Sequence, residues 1–165
     1  MTTMAPIDPT TFRAALGRFA SGVTVLTTRA TDGTALGMTA TAFSSVSLAP
    51  PLVLVCVDLD AAALPALTVG AAFAVHVLAE SQTALSQRFA SSEADRFAGL
   101  PVTRGLDGVP LLDGVLARLE CRVTATYPGG DHRIVVGEVH EATLGEGGPL
   151  LYFRGGYGRL TPPTG

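Results

Sequence analysis

Several marks of particular protein classes are scarce or missing in this 165-residue chain. No two Lys or Arg residues are adjacent and the formal net charge is −3, so the basic footprint of a nucleic-acid-binding protein is missing. The most apolar stretch, 52–57, is far too short to cross a bilayer, and no basic segment followed by an apolar one opens the sequence. These absences predict a cytoplasmic protein with neither a nucleic-acid partner nor a membrane anchor.

Metal-binding and disulfide signatures are equally sparse. The only two cysteines, Cys56 and Cys121, lie in strand-like segments, and we expect free buried thiols, with one disulfide as the alternative. His132 and His140 fall on one face of a strand, but no carboxylate or cysteine joins them at metal-ligand spacing. The glycine-rich segments also lack the GxGxxG dinucleotide fingerprint. The sequence therefore predicts no metal, and no Rossmann domain for any nicotinamide binding.

Apolar residues, by contrast, are abundant: 47% of the chain is hydrophobic and only 15% is charged. Such a composition is rich in core-forming residues and is typical of chains that bury part of their surface in an oligomer. Because no repeat or linker divides the sequence, we expect residues 1–165 to form one domain. The lead 1–8 and the Pro-rich tail 161–165 are expected to be flexible.

Hydrophobic periodicity and turn signals predict a mainly β protein. An amphipathic helix capped by Asp8 is expected at Pro9–Ala20, and further helices at Ala61–Val69 and Gln82–Ala90. Residues 91–113 are irregular and predict a surface excursion. Strands are expected at Val23–Thr28, Ala35–Ala40, Leu52–Val57, Phe73–Leu78, Leu116–Tyr127, His132–Leu144 and Leu150–Arg154. Mostly antiparallel strands with a few short helices indicate a small closed barrel.

A hydroxyl-rich segment precedes the most apolar strand. Its hydroxyl side chains are those of Thr39, Thr41, Ser44, Ser45 and Ser47. We interpret it as a turn whose small neighbours leave backbone N–H groups open to a phosphate or to the edge of a flavin ring. The strand that follows the Pro50–Pro51 break is predicted to be buried on both faces. The residues alone thus predict a ligand-facing loop in front of a sheet.

Five segments, spread over nearly the whole chain, carry a resemblance to a known family. They are FRAALGRFASGVTVLT from Phe12, GMTATAFSSVSLAPPLVLVCV from Gly37, FAVHVLAESQTALSQRFA from Phe73, GDHRIVVGEV from Gly130 and LLYFRGGYG from Leu150. Together they resemble the short-chain flavin reductase family, the reductase components of two-component flavin-dependent monooxygenases. The resemblance implies a mainly β, antiparallel FMN-binding split β-barrel, usually a homodimer. It also implies an NAD(P)H:flavin oxidoreductase that supplies reduced FMN or FAD to a separate monooxygenase.

The same resemblance places the flavin beside residues 39–45. Arg88 lies on the family's phosphate-proximal helix and would be the cation for an FMN phosphate or an FAD pyrophosphate. His132 matches the histidine of the family's GDH motif and is the predicted catalytic residue beside the nicotinamide, while Tyr157 would cover the pocket. Ala42 stands where the family often has Asn or Ser. The implied cofactor-binding residues are Thr39, Ala40, Thr41, Ser44, Ser45, Cys56, Val57, Asp58, Ser86, Arg88, Phe89, His132 and Tyr157.

Three other functions stay open on the sequence. One is a flavin-dependent enzyme that retains its flavin and acts on another substrate. The others are a non-catalytic flavin- or haem-binding barrel and a barrel for an apolar ligand, which ranks last because the segment 39–47 is polar. The choices between FMN and FAD and between NADH and NADPH are open as well, since no residue pattern reads the nicotinamide ribose.

Overall fold

A computed structural model describes residues 5–161 of the chain, so residues 1–4 and 162–165 of the predicted flexible lead and tail lie outside it. Its α-helices are Pro9–Leu16 (α1) and Thr83–Ala90 (α2), with 3-10 turns at Leu64–Ala66 and Leu106–Gly108. The strands in this part of the chain are Ser21–Gly22 (β1), Thr24–Arg29 (β2), Ala35–Ala40 (β3), Phe43–Leu48 (β4), Pro51–Asp58 (β5), Ala72–Val77 (β6), Val102–Arg104 (β7), Pro110–Leu112 (β8), Ala117–Gly129 (β9), His132–Leu144 (β10), Leu150–Phe153 (β11) and Gly156–Arg159 (β12).

The main sheet has seven strands in the order β3-β2-β6-β9-β10-β5-β4, and every neighbouring pair is antiparallel. The β11–β12 hairpin pairs with β1, and β7 pairs with β8. The prediction of a mainly β, antiparallel fold with few helices is confirmed. The edge strands β3 and β4 are joined by Thr41 and Ala42 alone, so the two edges meet at this link. Within residues 5–161, no ladder of hydrogen bonds closes the sheet between them.

The principal core unites strands from across this sheet. Leu26 of β2, Val55 of β5, Phe73 of β6 and Val135 of β10 are each at most 1% exposed and belong to one apolar cluster. A Cβ at Gly137 would lie 2.4 Å from the ring of Phe73, so only glycine lets this ring pack flat against β10. The main sheet is therefore stabilised by contacts between residues far apart in the sequence.

Helix α1 is shorter and less buried than predicted. Asp8 caps it as expected, because its Oδ1 accepts hydrogen bonds from the backbone N–H groups of the second and third helical residues, both at 3.0 Å. The helix ends at Leu16 rather than at residue 20 because Gly17 forms the C-cap. Its apolar stripe does not enter the core: Phe12 and Leu16 are each 53% exposed and Phe19 is 79% exposed.

Two other predicted elements are wrong. The helix expected at Ala61–Val69 is only the 3-10 turn Leu64–Ala66, since Pro65 lacks an N–H and disfavours a helical residue before it. The supposed surface excursion 91–113 contains the β7–β8 hairpin, whose β8 is buried throughout. Three-residue strands are too short to show a period, so the pattern could not reveal them.

The hydroxyl-rich segment 39–47 is two strands rather than a turn. Thr39 belongs to β3, the residues from Phe43 onward belong to β4, and only Thr41 and Ala42 lie between them. The strand β5 is likewise buried on one face only: Val53, Val55 and Val57 are buried, whereas the alternating side chains are half-buried. This outer face of β5 is consequently available to a ligand.

Both cysteines are free thiols, and the strands that carry them, β5 and β9, are separated by β10 in the main sheet. Cys56 is half-buried on the outer face of β5, and Cys121 is fully buried on β9. Burial raises the pKa of the Cys121 thiol to about 12, with the Glu120 carboxylate adding to the effect, so this thiol is protonated at neutral pH.

In the described part of the chain no helix is long and apolar enough to span a membrane, and no His/Cys/Asp/Glu cluster could hold a metal ion.

Candidate functional site

A cavity of about 230 Å³ opens between β3, α2 and the β11–β12 hairpin, and we call it the hydroxyl-lined cavity. Thr39 Oγ1 donates to the backbone carbonyl oxygen of Ser86 at 2.6 Å. The hydroxyl groups of Ser86 and Tyr157 are hydrogen-bonded at 2.9 Å. Thr41 completes the polar part of the lining. With Tyr152, five hydroxyl-bearing residues from separate parts of the chain thus line one cavity.

The fold explains this convergence. Thr39 lies near the end of β3 and Thr41 in the link that follows it, and both line the cavity. Ser86 is a buried residue of α2 and faces β3. Tyr152 and Tyr157 are directly paired across the β11–β12 hairpin, with ring centroids 5.5 Å apart in an edge-to-face arrangement. The two rings form one wall of the cavity.

A second cavity of about 380 Å³, the apolar cavity, lies on the other side of Thr41. Its floor is the outer face of β5, with Leu54 and Cys56, and its walls come from Leu16, the last residue of α1, and from Phe19 in the segment that follows. Thr41 lines both cavities, so they are neighbours that share this residue. None of the residues lining either cavity carries a formal charge.

His132 stands at the beginning of β10, beyond the apolar cavity. It is paired with Asp58 of β5, whereas the next same-face pair is Ile134 with Cys56. His132 is two residues from Ile134, the partner of Cys56, and two residues along a strand cover about 7 Å. His132 is therefore about 7 Å along the strand from the floor of the apolar cavity. His132 and Cys56 therefore project from the same outer face of the sheet.

A carboxylate orients this imidazole. His132 Nδ1 lies 2.7 Å from Oδ1 of Asp131, and a carboxylate can only accept, so Nδ1 carries the proton in this contact. The hydrogen bond from His132 lowers the pKa of Asp131, and the positive charge of Arg13 on α1 acts in the same direction. Among residues 5–161 nothing is hydrogen-bonded to Nε2, which is the atom that could meet a ligand.

The structure brings together only part of the predicted cofactor set. Thr39, Thr41, Ser86 and Tyr157 line the hydroxyl-lined cavity, and Thr41, Ser44 and Cys56 line the apolar one. Asp58 and His132 lie at the edge of the same face. The remaining predicted residues, which line neither cavity, are Ala40, Ser45, Val57, Arg88 and Phe89.

Four of these five residues, all except Ser45, have a defined environment elsewhere. Val57 and Phe89 are at most 1% exposed and pack in the core, where the Phe89 ring meets Phe97 edge-to-face at 5.0 Å. Ala40 is buried as well. The Arg88 guanidinium donates to the carbonyl oxygen of Ala98, so in this structure it does not point at either cavity.

Several lining residues were not predicted from the sequence. Tyr152 was missed although it flanks the same glycine-rich turn as Tyr157, and hairpin pairing across that turn is the signal that would have found it. Leu16 and Phe19 belonged to a helix expected to face the core. Val23 and Leu54 carry no chemical signature, and only the fold places them here.

Comparison with known proteins then decides the family. Residues 16–161 match the family described as flavin reductase like domain. The chain belongs to this family. Over 154 residues this flavin reductase family member is 49% identical to the reductase component of 4-hydroxyphenylacetate 3-monooxygenase from Thermus thermophilus, with 93% of this chain and 97% of that protein covered. The predicted family is confirmed.

Two further relatives carry cofactor names. The FMN reductase (NADH) SmoA of Agrobacterium fabrum is 43% identical over 150 residues, covering 91% of this chain and 85% of SmoA. The solved structure of the NADH:FAD oxidoreductase SgcE6 of Streptomyces globisporus, in complex with NAD and FAD fragments, matches with a TM-score of 0.87 and 38% identity. That match covers 98% of this flavin reductase family member and 100% of SgcE6.

Proposed function

We propose that this protein is an NAD(P)H:flavin oxidoreductase that reduces an exchangeable flavin for use by a separate monooxygenase. The observation that carries the proposal is the pair of uncharged cavities that share Thr41, with His132 on the same outer face of the sheet. Relatives named as reductase components of monooxygenases support the same function. Relatives named for NADH with FMN or with FAD support a nicotinamide and a flavin as its cofactors.

The residues present fit a flavin. The apolar cavity offers Leu54, Cys56 and Phe43 to a flat aromatic ring system, and the hydroxyl-lined cavity offers donors to a ribityl and phosphate chain. We therefore assign the ring to the apolar cavity and the phosphate-bearing chain to the hydroxyl-lined cavity. When bound, the flavin supplies the hydride acceptor and the nicotinamide the donor, so the protein's part is to hold the two in position.

His132 is assigned to the nicotinamide. Its contact with Asp131 fixes the ring and the proton on Nδ1, which leaves Nε2 as an acceptor for an amide N–H. The position of His132 one residue pair from Cys56 supports a role next to a ring held in the apolar cavity. The side chain thus positions the hydride donor without taking part in binding the flavin phosphate.

Neutral donors favour exchange of the flavin over its retention. Charge-assisted hydrogen bonds to phosphate are about twice as strong as neutral ones, and no arginine lines either cavity. We expect a dissociation constant near micromolar, which corresponds to about −8 kcal/mol. That affinity suits a protein that hands its reduced flavin to a partner, and it disfavours the alternative of an enzyme that retains its flavin.

We also propose a split barrel and a homodimer for this single-domain chain. The meeting of the edge strands at Thr41 and Ala42 supports the barrel. Exposed apolar side chains on α1 and β4 support the dimer: Phe12 and Leu16 are 53% exposed, and Leu48 is 90% exposed. A second subunit would cover these side chains next to the apolar cavity. Analytical ultracentrifugation of the wild type and of Leu48→Glu tests this assembly.

The test of the function is turnover of dialysed protein. NADH and NADPH oxidation is followed by absorbance while FMN, FAD or riboflavin is added in increasing amounts. Turnover that requires added flavin and saturates near micromolar supports the proposal and identifies both cofactors. Flavin that copurifies at full occupancy favours the flavin-retaining enzyme. Binding without turnover for every cofactor pair favours a non-catalytic flavin or haem carrier.

A further inference from the structure

A separate, charged cavity lies between the β7–β8 hairpin and the outer face of β9 and β10. Its volume is about 470 Å³, and its charged lining residues are Arg104, Arg118, Glu120 and Glu141. No residue that lines this cavity also lines the hydroxyl-lined or the apolar cavity. Any ligand of this cavity would therefore bind independently of the flavin.

The β7–β8 hairpin, which covers this charged cavity, is anchored to the sheet by three buried side chains. The Thr27 hydroxyl donates to the carbonyl oxygen of Pro110 at 2.6 Å. His76 Nε2 accepts the backbone N–H of the last residue of β8 at 3.1 Å. Glu120 Oε2 accepts the backbone N–H of Leu106 at 2.8 Å. Because each anchor is a buried polar side chain with a defined partner, the cavity is a built feature of the fold.

Arg118 is the group that distinguishes this cavity. Its side chain is only 20% exposed, and its Nε is fully buried, 4.0 Å from the nearer Glu120 oxygen. Its guanidinium donates no hydrogen bond to any residue in the range 5–161. Arg122, on the same face of β9, is the contrast: its Nη1 donates to the Gly70 carbonyl oxygen at 2.9 Å and to Asp107 at 2.8 Å. The Nε–H of Arg118 is therefore a buried donor for which a bound ligand could supply the acceptor.

A β-bulge adds a further donor to the same cavity. The register of β10 against β9 shifts between Val139 and Glu141, so His140 has no partner residue on β9. Such bulges redirect side chains, and here both His140 and Glu141 line the charged cavity. His140 thus lines the cavity together with Arg118, which is paired with Thr143 of β10.

We propose that the charged cavity binds a small organic monocarboxylate through the guanidinium of Arg118. A guanidinium presents parallel N–H donors that match the two oxygens of a carboxylate. Leu106 and Leu111 in the lining provide apolar contact for the organic part of such a ligand. Glu120 and Glu141 would repel a dianion more strongly than a monoanion, so the lining disfavours phosphate.

The first test is calorimetric titration of the protein with benzoate, benzamide and inorganic phosphate, with and without saturating FMN. The proposal expects benzoate to bind at the same affinity in both conditions, and benzamide, which has the same ring without the charge, not to bind. Binding of both ring compounds alike, absence of benzoate binding, or binding of phosphate in preference to benzoate would overturn it. Loss of benzoate binding on addition of FMN would also overturn it, by placing the ligand in the flavin cavities.

The second test assigns the binding to Arg118. Arg118→Gln is expected to weaken benzoate binding about tenfold or more, because it removes a charge-assisted pair of hydrogen bonds. Arg122→Gln, the same change on the same strand face, is expected to bind benzoate within about twofold of the wild type. Arg118→Lys keeps the positive charge but loses the paired N–H donors of the guanidinium, so it should bind benzoate with intermediate affinity. It also provides the comparison if Arg118→Gln does not fold. Equal binding by Arg118→Lys, Arg122→Gln and the wild type would overturn the proposal.

Discussion

The two cavities that share Thr41 and the cavity under the β7–β8 hairpin are opposites in chemistry. The former are lined by hydroxyl, aromatic and aliphatic groups without a formal charge, whereas the latter is lined by two arginines and two glutamates. The uncharged pair is where a phosphate-bearing cofactor is expected. Under the proposed function, the difference means that this chain would hold its cofactor with neutral donors, which favour release, while its partly buried charges lie elsewhere.

The largest effect is expected where the charged region is anchored, at His76. Burial lowers the pKa of His76 from 6.5 to about 4, although its bond to the Val25 carbonyl opposes the shift; the nearby charge of Arg118 lowers the pKa further. Above pH 6.5 the ring is neutral in the folded and unfolded states, so stability is complete there. As the pH falls from 6.5 to about 4 only the unfolded chain takes up the proton, and about 3 kcal/mol of stability should be lost.

Chemical denaturation at a series of pH values measures this loss. The exposed His140 provides the matched control: His140→Gln should retain the full dependence of the unfolding free energy on pH. An imidazole signal of His76 that titrates near 6.5 in the folded protein by NMR would contradict the prediction.

The second-largest effect is expected when a negative charge is introduced into the two uncharged cavities. Thr41 is exposed and lines both cavities, so Thr41→Asp should fold but repel the flavin phosphate, and flavin affinity should fall about a hundredfold. Thr41→Val removes the hydroxyl alone and should cost about tenfold or less. Fluorescence titration with FMN measures both affinities.

Thr31→Asp is the control for charge alone, since Thr31 lies in the turn between β2 and β3, at the far end of β3 from Thr41. It should bind FMN like the wild type. Equal affinity of Thr41→Asp and Thr31→Asp would mean that the flavin phosphate does not approach Thr41.

The catalytic contribution of His132 should be separable from flavin binding. His132→Ala is expected to lower NADH turnover about tenfold to a hundredfold, because a misplaced hydride donor reacts more slowly, while FMN affinity stays nearly unchanged. Steady-state kinetics with FMN, together with the same fluorescence titration, separate the two quantities. A variant that lost FMN but kept its turnover per bound flavin would show that His132 binds the flavin instead.

The smallest expected effect concerns the hydrogen bond between Ser86 and Tyr157 in the hydroxyl-lined cavity. Tyr157→Phe keeps the ring against Tyr152 and removes only the hydroxyl, so FMN affinity should fall a few-fold, about 1 kcal/mol or less. Because Ser86→Ala disrupts the same contact, the double variant should lose less than the sum of the two single losses. Strictly additive losses would show that the two hydroxyl groups act independently on the flavin.

Local sequence signals predicted most of the architecture. The cap at Asp8, the hairpin of β2 and β3 and the long hairpin of β9 and β10 follow from turn residues and apolar periodicity, which depend on near neighbours. The same signals failed for Ala61–Val69, where a proline overrode helical spacing, and for 91–113, where the strands are too short to show a period.

The candidate site divides in the same way. The hydroxyl-bearing Thr39, Thr41 and Ser86 could be found from residue type and family resemblance, because their chemistry is visible in the sequence. Phe89 and Val57 were placed beside the flavin by the same reasoning and instead pack in the core. Which of two neighbouring side chains on a strand faces a cavity depends on register, and register is set by distant partners.

The sequence by itself determined the family, the mainly β class and the hydroxyl groups available to a cofactor, since these depend on residue type and order. Only the tertiary structure decided that the edge strands meet at Thr41, that Tyr152 and Tyr157 share one wall, and that Arg118 lies under the β7–β8 hairpin. The reason is physical: each of these placements depends on how the whole sheet pairs, through contacts such as those of β5 with β10 and of β2 with β6, which join residues far apart in the chain. Such contacts form only when burial of the apolar faces fixes how the strands pair.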